Sequence, residues 1–136
     1  MKRFFLDTNI LLDFLGGRQP FVKNALKIFN KGRLGEWELW TSSYAILTSY
    51  FILRREIGTN AAKSSIGGLL KLVKVQAIQK SDLLHSLSSS IQDFEDGAQH
   101  SCAISIGNID GIITRDRKDF KHSQLKVYNP SELFSD

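Results

Sequence analysis

The sequence predicts an α/β fold with a central, mostly parallel sheet covered by helices on both faces, and three observations predict it. Short apolar runs of strand character, over 3–6, 36–42, 75–79, 110–114 and 125–128, alternate with longer segments of helical period. Strands separated by helices pair in parallel and are buried from both sides. The 136 residues are 42% hydrophobic and 24% charged, enough to build one core, with no repeat, low-complexity tract or linker. A single domain over 1–136 is therefore expected.

The elements follow in order. Residues 3–6 form a first strand, and Asn9 to Leu15 a short helix ending at Gly16-Gly17. Pro20 suits the first position of a helix in which Phe21, Ala25, Ile28 and Phe29 share a face and Gly32 makes the stop. "EWELWTS" alternates, with Trp37, Leu39 and Thr41 on one side and Glu38 and Trp40 on the other. "SYAILTSYFILRREIG" is apolar on most sides and reads as a buried helix ending at Gly58. A helix over 60–74 follows, weakened by Gly67-Gly68 at about 1 kcal/mol each. After the strand at 75–79, Ser81 caps a helix to about Ser90 with Leu83, Leu84 and Leu87 facing inward. "EDGAQHSCAISIG" is a helix whose Ala98, Cys102, Ala103 and Ile106 form a small-residue stripe suited to close approach to a sheet. The strands "DGIIT" and "LKVY" flank a polar turn, and "NPSELF" closes with Asn129 as N-cap, Pro130 first and Glu132 as the reciprocal cap.

Several classes are excluded. No apolar run approaches the roughly 20 residues that span a bilayer, and Asp7 cuts the apolar N-terminus too early for a signal peptide. The one cysteine, Cys102, excludes an internal disulfide framework, so a cytoplasmic protein is expected. A formal charge of +4 favours polyanionic partners only weakly.

The chemistry lies in the acids. Ligands of open parallel sheets bind beyond the carboxyl ends of the strands. Asp7 follows the first strand, Asp116 and Asp119 follow the "GIIT" strand, and Asp93, Glu95 and Asp96 stand at the head of the small-residue helix. If that helix starts at the same sheet edge, carboxylates from three distant segments converge. Crowded carboxylates repel, and a hard divalent cation such as Mg²⁺ or Mn²⁺ resolves the repulsion. His85, His100 and His122 have no zinc-ligand spacing. Other readings stand open. Asp7-Thr8-Asn9 caps the next helix equally well, Asp96 suits a helix dipole, and Asp119 reads as a surface acid. Thr114 either packs in the sheet or orients a carboxylate, and Arg115 is either a phosphate contact or a solvated side chain. Asp93 is a supporting residue, Asp13 and Asp110 are structural, and Cys102 is inert core.

"FFLDTNILLDF" resembles the opening of PIN domains, and "DFEDGAQHSCAISIGNIDGIITRDRKDFKHSQLKVYNPSELF" is similar to their second half. The likeness is closest to small bacterial single-domain members, many of them VapC-type toxins. It implies a three-layer α/β/α sandwich and a metal-dependent endoribonuclease. In that activity Asp7, Asp96 and Asp116 would hold Mg²⁺ or Mn²⁺, Asp119 would be a fourth catalytic acid, and Asn9, Thr114, Thr48 and Asp93 would support them. Arg115 would touch RNA phosphate. It further implies a cognate antitoxin and a homodimer, for which the apolar helices 43–57 and 60–73 are candidate faces. The chain departs from the pattern at Thr48, six residues past Ser42, where the family usually has an acid; Glu56 lies two turns further on. That departure motivates a second reading, a catalytically degenerate module that binds RNA or protein. A third, an aspartyl phosphoryl-transfer protein, expects a second acid where Asn9 stands.

Overall fold

A computed structural model describes residues 1–134. Five strands, β1 (Lys2–Leu6), β2 (Trp37–Ser42), β3 (Lys74–Gln76), β4 (Gly111–Ile113) and β5 (Val127–Tyr128), form a sheet in the order β3-β2-β1-β4-β5. Every adjacent pair is parallel. The helices are α1 (Thr8–Leu15), α2 (Val22–Arg33), α3 (Ser43–Ile57), α4 (Thr59–Leu70), α5 (Lys80–Leu87), α6 (Phe94–Ile106) and α7 (Pro130–Leu133), with a 3₁₀ turn at Arg117–Phe120.

Alternation along β1 makes two cores, one on each face of the sheet. Phe4 and Leu6 pack with Ile10, Leu11, Ile28, Leu39 and Ile113 on one side. Phe5 packs with Cys102, Ala103, Ile112 and Phe120 on the other. Residues two apart share a face of a strand, so a strand buried from both sides must be apolar throughout. The result is the three-layer sandwich expected. Cys102 is fully buried, its thiol pushed up to about 12 by that burial, which keeps it unreactive. Asn129 and Glu132 form the anticipated capping box on α7.

The order of strands positions the site. From β1 the chain winds outward through β2 to β3, then returns across the sheet to place β4 on the other side of β1. The crevice beyond β1 and β4, where the winding reverses, is where such sheets take ligands.

Several local expectations are overturned. Pro20 does not open α2; it follows a cis peptide bond in the preceding turn, and Phe21 is the N-cap. Gly32 does not stop α2, which runs on to Arg33. A Cβ there would press on Leu39, so Gly32 serves close packing of the helix on β2, and the left-handed turn falls at Gly35 instead. Helix α3 is not buried all round, since Leu47, Phe51 and Ile57 are exposed. The cap of α5 is Gln79 with Asp82, not Ser81. Its leucines face outward, with Leu87 73% exposed. The inward face is polar because α6 offers it partners. Buried Asp82 accepts from Ser101 Oγ (2.7 Å) and from the Gln79 amide (2.8 Å), and Ser86 Oγ donates to the Phe94 carbonyl (2.7 Å).

The contact between α5 and α6 needs Gly97, where a Cβ would collide with Ser86 Oγ. Gly97→Ala is expected to cost about 1–3 kcal/mol in chemical denaturation, the usual penalty of overpacking.

Candidate active site

Asp7 ends β1 and begins α1. Its backbone amide continues the ladder to β4 by donating to the Ile113 carbonyl (3.0 Å), and its side chain caps α1 by accepting from the Thr8 amide (2.8 Å). The cap does not exhaust the carboxylate. Asp7 Oδ2 accepts from Thr114 Oγ1 (2.8 Å) and Asn9 Nδ2 (3.5 Å), and Oδ1 from Gln99 Nε2 (3.4 Å). Thr114 is fully buried at the end of β4, and its hydroxyl holds Asp7. Its Oγ1 also accepts from the Asp116 amide (3.0 Å), and Asn9 Nδ2 reaches Asp116 Oδ2 (3.3 Å). One amide thus ties the acid after β1 to the acid after β4.

The third segment arrives on α6. Asp93 is its N-cap, accepting from the amide of Asp96 three residues on (2.9 Å), and Asp96 lines the crevice. Asp119, in the 3₁₀ turn, donates its amide to the Asp116 carbonyl (3.0 Å). Asp7, Asp96, Asp116 and Asp119 then share the wall of one pocket of about 260 Å³, together with Asn9, Thr48, Tyr44, Glu95, Gln99 and Arg18. Asp93 does not line it.

The electrostatics follow from crowding and burial. Burial raises the Asp7 carboxyl above its ordinary range; the Thr114 and Thr8 hydrogen bonds oppose the rise, and the charges of Asp116 and Asp119 add to it. Asp96 is pushed up to about 7 by burial, then by the charges of Asp7, Asp93, Asp119 and Glu95. Among the described residues none of the five pocket acids, Asp7, Glu95, Asp96, Asp116 and Asp119, is ion-paired. Arg18 in the wall stands 3.9 Å from Glu56, which itself lies outside the pocket.

The donor set is hard oxygen throughout. Among the described residues no three Asp, Glu, His or Cys side chains are arranged to hold a metal by themselves. A cation here would therefore take few direct protein ligands. The carboxylate oxygens of the pocket fit Mg²⁺ or Mn²⁺, which sit on one or two carboxylates and keep their remaining places for water and phosphate oxygen. A larger hollow of about 420 Å³ gathers His85, His100 and His122 with several serines, and holds no carboxylate.

Arg115 is turned away from the acids. Its Nε and Nη2 grip Asp13 (2.7 and 3.1 Å) and its guanidinium lies 3.8 Å from the Phe21 ring centre, beside a different hollow. Asp13 is 1% exposed, so the pair is structural. Arg115→Ala leaves that carboxylate buried without a partner and is expected to destabilise the fold by about 3 kcal/mol in urea titration, the low end for a broken buried pair.

The sequence did not single out Gln99 or Arg18, both in the pocket wall, and it marked Ser42, the partner of Gln99, only as a motif position. Gln99 stands one turn past Asp96 on the same face of α6, a spacing that was visible. Thr48 does line the pocket, together with Tyr44 and Glu95.

A model of the PIN domain matches residues 3–118. No curated protein matches the chain. Among solved structures, DNA-bound VapBC from Salmonella typhimurium is similar at a TM-score of 0.71 and 14% identity, over 96% of this chain and 99% of that one. VapBC-1 from nontypeable Haemophilus influenzae follows at 0.67 and 20%, over 95% and 98%. VapC20 from Mycobacterium tuberculosis, a toxin that cleaves the sarcin-ricin loop, matches at 0.64 and 15%, over 80% and 86%. These likenesses establish a common fold, the helix-flanked parallel sheet of the VapC structures.

Proposed function

The chain belongs to the PIN domain family, and on that premise we propose that it is a metal-dependent endoribonuclease, a single domain acting as the toxin of a toxin–antitoxin pair. The observation that carries the reading is the convergence of Asp7, Asp96, Asp116 and Asp119, from three distant segments, on one pocket without a counter-charge from an ion pair among the described residues. Of Asp7, Asp96 and Asp116, one or two would hold Mg²⁺ or Mn²⁺ directly and the rest through the cation's waters. When bound, the cation supplies an activated water and charge stabilisation for the phosphodiester.

The chain's own residues do the rest. Thr114, Thr8 and Asn9 fix the Asp7 carboxylate, and Asn9 sets its distance from Asp116. Asp96, whose carboxyl is pushed up to about 7 in the metal-free site, would give up its proton when a cation takes the carboxylate. Asp119 adds negative charge at the mouth, and Arg18, the cation in the wall, takes the phosphate contact that Arg115 is too well paired to make. The products expected are a 5′-phosphate and a 3′-hydroxyl. The test is cleavage of single-stranded RNA by the full chain: activity with Mn²⁺ or Mg²⁺ that stops with EDTA and returns on readdition supports the reading. Cleavage indifferent to EDTA sinks it.

Partners follow from surface chemistry. Leu47, Phe51, Leu83, Leu84, Leu87 and Phe94 are exposed large hydrophobics. An apolar groove of about 370 Å³ between α3 and α6, lined by Leu47, Ile78, Leu83 and Phe94, borders the acid pocket through Tyr44, Glu95 and Gln99. These surfaces suit a second copy of the chain and the apolar side of an antitoxin. They lie on α3, α5 and the start of α6; α4, the other face expected from sequence, exposes Leu70. No helix among the described residues is long and apolar enough to cross a membrane, and cytoplasmic residence is part of the proposal. Thr48, in place of an acid, favours the degenerate binding module as a second reading; RNA binding without cleavage under any divalent cation selects it.

A further inference from the structure

We propose that Gln99 is a positioning residue for Asp7, held in its working orientation by Ser42. The inference rests on the nuclease reading of the pocket and names a part of the machinery that the family pattern of acids does not contain.

Gln99 is 3% exposed, and its amide spans the gap between Ser42, at the end of β2, and Asp7, at the end of β1. The direction of the amide follows from counting hydrogens. The Ala45 amide donates to Ser42 Oγ (3.0 Å), capping α3, so the Ser42 hydroxyl hydrogen is free for another acceptor. It goes to Gln99 Oε1 in a short hydrogen bond. The other end of the amide, Nε2, is thereby turned to Asp7 Oδ1 (3.4 Å) and Thr8 Oγ1 (3.5 Å). The flipped amide would set an oxygen against the carboxylate with no hydrogen between them, in a buried site where such a clash is costly.

Asp7 then has two donors on each oxygen: the Thr8 amide and Gln99 on Oδ1, Thr114 and Asn9 on Oδ2. Without Gln99, Oδ1 keeps only the Thr8 amide, and the carboxylate loses the α6 side of its cradle. Gln99 is also the link through which the cap of α3 reaches the acid after β1. Partners of this kind, behind a metal-binding carboxylate, typically set affinity by about 10–100-fold.

The test uses the full chain in two measurements. In the metal-free ¹⁵N-labelled protein, the Gln99 side-chain amide hydrogens are expected to exchange slowly and to lose protection in Ser42→Ala. In isothermal titration with Mn²⁺, Gln99→Leu is expected to raise Kd about 10-fold while circular dichroism stays unchanged. Ser42→Ala, which leaves Gln99 in place, is expected to raise Kd severalfold and stands in if Gln99→Leu does not fold. A Gln99 amide that exchanges like an exposed glutamine overturns the proposal whatever Mn²⁺ does. An unchanged Kd in the folded variants overturns it too. If the wild type takes up no Mn²⁺ yet the amide is protected in a Ser42-dependent way, the metal reading fails and the hold of Ser42 and Gln99 on Asp7 stands.

Discussion

Asp7→Asn is expected to slow Mn²⁺-dependent RNA cleavage by about 100-fold or more, equivalent to about 2.7 kcal/mol of barrier, with the fold retained. The size follows from where Asp7 stands. It is the most buried of the five pocket acids and the one on which the donors from Thr8, Asn9, Thr114 and Gln99 converge. Asparagine preserves the shape and one capping oxygen but removes the charge that attracts the cation. The fold survives because burial disfavours the charged form of Asp7 in the first place. Single-turnover cleavage beside thermal melting separates the two effects. Equal rates for variant and wild type would remove Asp7 from the chemistry.

The pH dependence of stability gives the second large effect. Asp96 titrates near 7 in the folded protein, against an ordinary aspartate value of about 3.9 in an unfolded chain. The folded state therefore holds this proton more tightly than the unfolded state does. Stability is fully present below the unfolded value and is lost as pH rises through about 7. Asp7, raised chiefly by burial, acts in the same direction. Metal-free protein should melt at lower temperature at about pH 8 than at about pH 5, and Asp96→Asn should flatten the trend. A bound cation offsets the repulsion among the carboxylates, so stabilisation by Mn²⁺ should grow over the same interval. Differential scanning calorimetry at both pH values, with and without Mn²⁺, reads both signs; a metal-free melting temperature that rises with pH contradicts the electrostatic account.

What could be read from the sequence was set by which signals are local. Asp7, Thr114 and Asp116 were legible because each sits at the end of a short apolar run, and strand ends are where parallel sheets gather ligands. The capping box of α7 was legible because all its parts lie within four residues. The inward leucines of α5 were misread because helical period identifies a face and not its partner. There the polar face is buried, since Ser101 and the Phe94 carbonyl supply hydrogen bonds from α6. The sequence leaves Arg115 between a phosphate contact and a solvated side chain because its partner Asp13 is 102 residues away and nothing local announces the pair. Gln99 was passed over because a neutral amide carries no charge signal, and its meaning depends on Ser42 and Asp7, which only the folded sheet brings beside it.

The central claim is that the acids beyond β1, β4 and the head of α6 form a divalent-cation site. The most direct test is paramagnetic broadening by substoichiometric Mn²⁺ in the metal-free ¹⁵N-labelled chain. Selective loss of the backbone amide signals of Asp7, Thr8, Asn9, Asp96, Asp116 and Asp119, with α5 and α2 left sharp, is the predicted result. Broadening centred on the hollow of His85, His100 and His122, or no broadening at all, would contradict it.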